Sequence, residues 1–158
     1  MNSVNQVSLA EMWPFMEEQI NSGKKVRFGP KGTSMLPMIR QGIDSVVLKK
    51  APKTLKKYDL PLFRRKDGQF VLHRVVSIRS DGYVMCGDNQ YSREYGVKKE
   101  DILAIVDGFY RGDEYVSSDN EKYKKYCIKQ VKNQYFKGIK IRFKSAVKHI
   151  IRYNSSKK

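Results

Sequence analysis

Two Asp-Gly pairs, Asp67-Gly68 and Asp81-Gly82, punctuate three runs rich in β-branched and aromatic residues: 60–66, 69–80 and 83–87. Asp-Gly supplies the positive φ angles of tight type I′ hairpin turns. This stretch is therefore predicted to form a three-stranded antiparallel meander with His73 on its middle strand. Alternation along that strand puts Val71, His73, Val75 and Ser77 on one face and Leu72, Arg74, Val76 and Ile78 on the other. The apolar neighbours on its own face would limit the access of solvent to His73.

The same texture of short runs between Gly, Pro and Asp-Gly turns extends over residues 24–111, which are read as one all-β domain. Residues 102–110 are more uniformly apolar at their start, as suits a strand deeper in a sheet. Ahead of the domain, in segment 1–23, Ser8-x-x-Glu11 is a capping box opening a short helix that stops at Gly23 and buries Met12, Phe15, Met16 and Ile20. Pro14 opposes a regular helix from Ser8, predicting a later or kinked start. A polar connector, 112–121, leads to a tail, 122–158, in which Ile128, Val131, Tyr135, Ile139, Phe143, Val147 and Ile150 recur at helical spacing, interrupted by Gly138. The fold class is mainly β, with a short N-terminal helix and a basic C-terminal helical tail. No internal repeat is visible.

Charge is unevenly spread. The net charge is +16, and residues 122–158 hold 13 Lys and Arg with no Asp or Glu, leaving 19 Lys and Arg against 16 Asp and Glu in residues 1–121. An amphipathic basic helix of this kind suits an anionic membrane surface. Phosphate neutralisation by the same charge suits nucleic acid, although no helix-turn-helix or zinc finger is present to add specificity. The third reading is a solvated helix packed on the domain. No apolar run approaches the roughly 18–20 residues that cross a bilayer, and the first residues lack the basic start and apolar core of an export signal. A cytoplasmic location is expected, with the tail at the inner membrane face if it binds lipid. Cys86 and Cys127 lie far apart without CxxC spacing or a His cluster, so reduced thiols are expected and neither a metal nor a cofactor is predicted.

The segment richest in chemistry is Gly32-Thr33-Ser34-Met35-Leu36-Pro37. A serine held in a tight loop presents its hydroxyl at a surface while leaving its own N–H free to face a substrate carbonyl. Serine needs a neighbouring base to accept its proton. His73, in Val71-Leu72-His73-Arg74-Val75-Val76, is the one histidine of the β domain, the other being His149 in the tail. Asp88, in Gly87-Asp88-Asn89, is a candidate acid to fix the imidazole tautomer. Each residue also has an ordinary reading: a turn serine, a satisfied sheet histidine, the first residue of an Asp-Asn turn. Asp44 and Asp59 stand at strand entrances, where turns favour aspartate, and are read as structural. Met35 is read as lining the substrate groove or the core beneath Ser34.

Ser-Met-x-Pro, then His-Arg-Val-Val, then Gly-Asp-Asn, in that order, resembles the type I signal peptidase family and the related self-cleaving LexA-like repressors. The resemblance covers residues 26–110. It implies a coiled antiparallel sheet and a serine endopeptidase in which Ser34 is nucleophile, His73 general base and Asp88 its supporting acid, with Gly32, Thr33, Ser34 and Met35 around the oxyanion and substrate. Bacterial members usually carry lysine at the base position; archaeal and endoplasmic-reticulum forms carry histidine, as here. The implied partner is a peptide or protein substrate with small side chains before the cut, bound extended along a sheet edge. Two departures stand out. Some bacterial members have an oxyanion-holding serine where this chain has Gly32, and loss of one such donor costs about 100- to 1000-fold in rate. The family's membrane anchor is also missing. The alternatives are a self-cleaving LexA-like regulator, for which no room for a DNA-binding module is expected ahead of the β domain unless the gene product is longer or the cut falls within 112–121, and a non-catalytic module docking on membrane or nucleic acid through its basic tail.

Overall fold

The computed structural model describes the backbone of residues 8–155 and the side chains of residues 8–141. Phe143, Val147, His149 and Ile150 of the predicted stripe and tail therefore lie outside the described side chains, as do residues 1–7.

Helix α1 (Leu9–Asn21) begins where its capping box dictates. The Glu11 N–H donates to Ser8 Oγ at 3.2 Å, and the Ser8 N–H donates to the Glu11 carboxylate at 2.7 Å. Contrary to expectation, Pro14 lies inside the helix without delaying its start. An interior proline costs about 3 kcal/mol, whereas burying each large apolar side chain returns about 1.5–3 kcal/mol, and three are buried here: Trp13, Met16 and Ile20. Trp13, packed 5.8 Å from the Phe70 ring, takes the place expected of Met12 and Phe15, which are exposed. The spacing 13, 16, 20 keeps to one face of the helix, which Met12 and Phe15 leave.

The chain continues through β1 (Val26–Phe28), β2 (Asp44–Lys49), β3 (Pro61–Arg64), β4 (Phe70–Leu72), β5 (Arg74–Arg79), β6 (Gly82–Cys86), β7 (Glu94–Val97), β8 (Ile102–Arg111) and β9 (Glu114–Ser117) to α2 (Glu121–Ser155). The architecture is mainly β, with antiparallel sheets and a helix at each end. The larger sheet runs β1-β2-β8-β3-β4, with β9 also paired to β8; the smaller runs β5-β6-β7. The apolar β8 is the central strand, pairing with β2, β3 and β9.

The predicted meander is corrected at one residue. Its first hairpin, β3–β4, belongs to the larger sheet, and its second, β5–β6, to the smaller, so the middle strand is broken at His73. The break arises because the Val75 N–H donates to the Asp59 carbonyl and the Tyr58 N–H to the Val75 carbonyl. These bonds pull β5 away from the line of β4, a corner of the kind by which strands change sheets. Leu55, Phe63, Val71, Val75, Met85 and Ile105 fill the space between the sheets, while α1 and the first turns of α2 close the main core around Val46, Leu62 and Phe109.

The connector is corrected too. Residues 114–117 of the polar connector form strand β9, paired in register with β8 from Gly108↔Ser117 to Arg111↔Glu114. In α2, Gly138 does not interrupt the helix. The packed face is Tyr123, Cys127, Val131 and Gln134, whereas Ile128, Tyr135 and Ile139 of the predicted stripe are exposed. Among the described residues no helix is long and apolar enough to cross a membrane.

Candidate active site

Ser34 sits in a turn-rich loop after Gly32, whose φ of +95° is a left-handed conformation that disfavours any side chain. That backbone requirement accounts for glycine at position 32, although a Cβ there would meet nothing within 4 Å. The loop is closed by the Ile39 N–H donating to the Met35 carbonyl and by the Gly32 N–H donating to Gln41 Oε1. It is then tied to the Gly87-Asp88-Asn89 turn: the Asn89 N–H donates to the Ser34 carbonyl at 2.8 Å, Asn89 Nδ2 to the Thr33 carbonyl at 3.2 Å, and the Asp88 N–H to Met35 Sδ at 3.5 Å.

His73, 3% exposed, occupies the corner between the sheets. Its Nδ1 lies 2.9 Å from Glu94 Oε1. A carboxylate only accepts, so Nδ1 carries the proton and Nε2 keeps its lone pair. Glu94 is itself clamped by Arg65, which donates from Nε and Nη2 to the two carboxylate oxygens at 2.6 Å each. Burial lowers the His73 pKa from its ordinary 6.5, outweighing the attraction of Glu94. Burial works against ionised Glu94 as well, but the Arg65 and His73 bonds hold its carboxyl below the usual value. The arrangement is a neutral imidazole, oriented by a charged carboxylate, with its free nitrogen available as a base.

Gly87 is where the two halves of the site meet. A Cβ at this position would lie 2.7 Å from the Ser34 carbonyl oxygen and 3.0 Å from His73 Nε2, so only glycine lets the loop and the imidazole approach this closely. Ser34 and His73 both line a cavity of about 220 Å³, together with Gly32, Met35, Ile39 and Arg65. Among the described residues no hydrogen bond joins Ser34 Oγ to His73, and the Ser34 N–H has no partner. Of the predicted oxyanion and substrate residues, Gly32, Ser34 and Met35 lie on the cavity wall; Thr33 does not, its carbonyl being engaged by Asn89 and the Leu36 N–H.

Asp88 is not the carboxylate that holds His73. Its Oδ1 and Oδ2 accept from Arg74 Nε at 2.8 Å and Nη2 at 2.7 Å, with both side chains wholly buried. A buried guanidinium without a counter-charge is severely destabilising, and Asp88 is the carboxylate that meets it. Arg74 also donates to the Tyr58 carbonyl, Tyr123 Oη, Cys127 Sγ and Met38 Sδ. It thereby joins β5, the Ser34 loop and α2. From α2, Tyr126 Oη donates to Asp88 Oδ2 at 3.1 Å, Gln134 Nε2 to the Gly87 carbonyl at 2.6 Å, and Gln130 Nε2 to the Asp88 carbonyl.

Glu94 and Arg65 are the site residues that the sequence did not reveal. Glu94 is far from His73 along the chain and reaches it only because β7 pairs back on β6, Met85 opposite Glu94. A hairpin predicted beyond Gly87-Asp88-Asn89 would have been the available signal. Asp44 and Asp59 are structural: Asp44 accepts from the Arg40 backbone and guanidinium, and Asp59 from the Lys56 N–H. Cys86 and Cys127 are buried free thiols, and burial pushes Cys86 up to about 11. Among the described residues no cluster of three or more His, Cys, Asp or Glu side chains forms a metal site. Comparison with protein-family models, curated proteins and solved structures finds no match to this chain.

Proposed function

We propose that this chain is a serine endopeptidase of the signal peptidase and LexA-like type, with Ser34 as nucleophile and His73 as general base, and with Glu94 in the orienting role first assigned to Asp88. The observation that carries the reading is the hydrogen bond from His73 Nδ1 to Glu94, which leaves Nε2 as acceptor on a residue that lines the same cavity as Ser34. Serine hydrolysis needs that tautomer.

In the proposed reaction Ser34 Oγ attacks the scissile carbonyl carbon while its proton passes to His73 Nε2. The buried Glu94 stabilises the imidazolium so formed. Charge on the tetrahedral oxygen is met by the unengaged Ser34 N–H and by a second donor from the loop or substrate. Collapse expels the amine, which takes the proton from His73, and water attacking the acyl-Ser34 ester releases the second product by the same base. The bond between Ser34 Oγ and His73 forms as substrate closes the cleft, since catalytic contacts are commonly long in the free enzyme. Strand β4 ends the larger sheet next to His73, and its open edge supports binding of an extended peptide.

The test is cleavage of a mixed peptide library. The wild-type chain is expected to cut at a restricted set of sites, and Ser34→Ala and His73→Ala to leave those sites intact. Cleavage by Ser34→Ala at the wild-type sites and rate would overturn the proposal.

A further inference from the structure

On another face of the molecule, a cavity of about 690 Å³ shares no lining residue with the Ser34–His73 cavity. Its rim carries the exposed lysines Lys50, Lys56 and Lys57, and its wall includes the apolar Leu60, Ile105 and Ile128. Two carboxylates also face it: Asp119, which is paired with Lys124 at 3.9 Å, and Asp59, whose side chain accepts from the Lys56 N–H. The three rim lysines outnumber them, so the cavity is a basic mouth over an apolar floor.

Ile128 belongs both to this cavity and to a stripe along α2. With Ile128 40% exposed, Tyr135 55% and Ile139 47%, three large side chains on one helical face meet water. They fall at i, i+7 and i+11, with exposed Lys132 at i+4 on the same face, beside the packed face of Tyr123, Cys127 and Val131. Lys129 and Lys140 lie on the far flank of the stripe, and no acidic residue occurs after Glu121. Nucleic acid would satisfy the lysines but not the aliphatic side chains. A helix whose exposed apolar stripe is bordered by lysine fits the boundary between lipid headgroups and acyl chains.

We propose that this face docks on an anionic phospholipid membrane. The stripe of Ile128, Tyr135 and Ile139 enters the acyl boundary, and lipid phosphate groups occupy the mouth formed by Lys50, Lys56 and Lys57. Docking is independent of catalysis, because none of these residues lines the Ser34–His73 cavity. The Ser34→Ala chain serves equally well for the test.

The experiment is co-sedimentation of the full chain with phosphatidylcholine vesicles, with and without one-third phosphatidylglycerol. Binding is expected to the mixed vesicles only. The double variant Tyr135→Ser, Ile139→Ser should lower the partition coefficient at least tenfold, and Lys56→Gln and Lys57→Gln should each lower it about fivefold. Ile128→Asn serves as a second, independent probe of the stripe, and equal thermal midpoints for all variants show that the fold is kept. Absence of binding to the mixed vesicles would overturn the proposal. So would binding that the stripe variants leave intact, or a preference for duplex DNA over vesicles.

Discussion

Glu94 Oε1 stands 2.9 Å from His73 Nδ1, while Asp88 gives both of its oxygens to Arg74. The two carboxylates therefore predict opposite phenotypes. Glu94→Gln offers an N–H or a weaker acceptor to Nδ1 and releases the tautomer, so kcat is expected to fall on the order of 10²- to 10⁴-fold. Its thermal midpoint should change little, because Glu94 is partly exposed and Arg65 can turn to water. Steady-state kinetics beside a thermal melt makes the comparison.

Asp88→Ala should do the reverse. It strands the Arg74 guanidinium, fully buried, without its counter-charge. Breaking such a pair costs about 3–5 kcal/mol, which is expected as a lower urea midpoint whether or not a substrate is present. A variant as stable as wild type but inactive would return Asp88 to the catalytic role.

Gly87→Ala probes the meeting of loop and imidazole. The added methyl would press on the Ser34 carbonyl at 2.7 Å and on His73 Nε2 at 3.0 Å. The backbone oxygen cannot swing aside as a side chain would, so the loop must move. A displacement of about 1 Å at reacting groups costs about 100-fold in rate. The proposed peptidase activity is expected to drop by at least that factor, with a smaller loss of stability, about 1–3 kcal/mol.

The pH dependence follows from the lowered His73 pKa. The proposed base must be neutral to act, so the acid limb of kcat/KM is expected below 6.5, the ordinary imidazole value. Removing the carboxylate in Glu94→Gln should move that limb lower still, since Glu94 favours the protonated ring. Stability has the same sign: the unfolded chain binds the proton more readily than the folded one, so stability falls as pH drops from 6.5 through the folded value. Denaturant titrations above and below that range, with His73→Gln as control, check it.

Helix α2 is predicted to be part of the folding unit at its start. A chain ending after Glu121 would lose Tyr123, Cys127 and Val131 from the core and the amides of Gln130 and Gln134 from the Gly87-Asp88 turn. Large apolar truncations in cores cost about 2–5 kcal/mol each. That chain is expected to lack a cooperative unfolding transition, whereas one ending after Ile141 should keep it.

The residues themselves announced the elements whose causes are local. The capping box of Ser8 and Glu11, the apolar run from Ile102 and the hairpin at Asp67-Gly68 each specify neighbouring backbone, and each appears in the structure, although only Gly68 of the Asp-Gly pair takes the positive φ expected of both. The segments of Ser34, His73 and Gly87-Asp88-Asn89 were also legible as motifs, and in the structure they meet at Gly87. What remained hidden depends on contacts between distant parts of the chain. The break at His73 comes from the pairing of Val75 with the Tyr58–Asp59 backbone, and which face of α1 is buried depends on what it packs against, Trp13 meeting Phe70. The exchange of partners between Asp88 and Glu94 was decided by Arg74, because a guanidinium drawn wholly into the core captures the nearest carboxylate, and the imidazole takes what the next strand supplies.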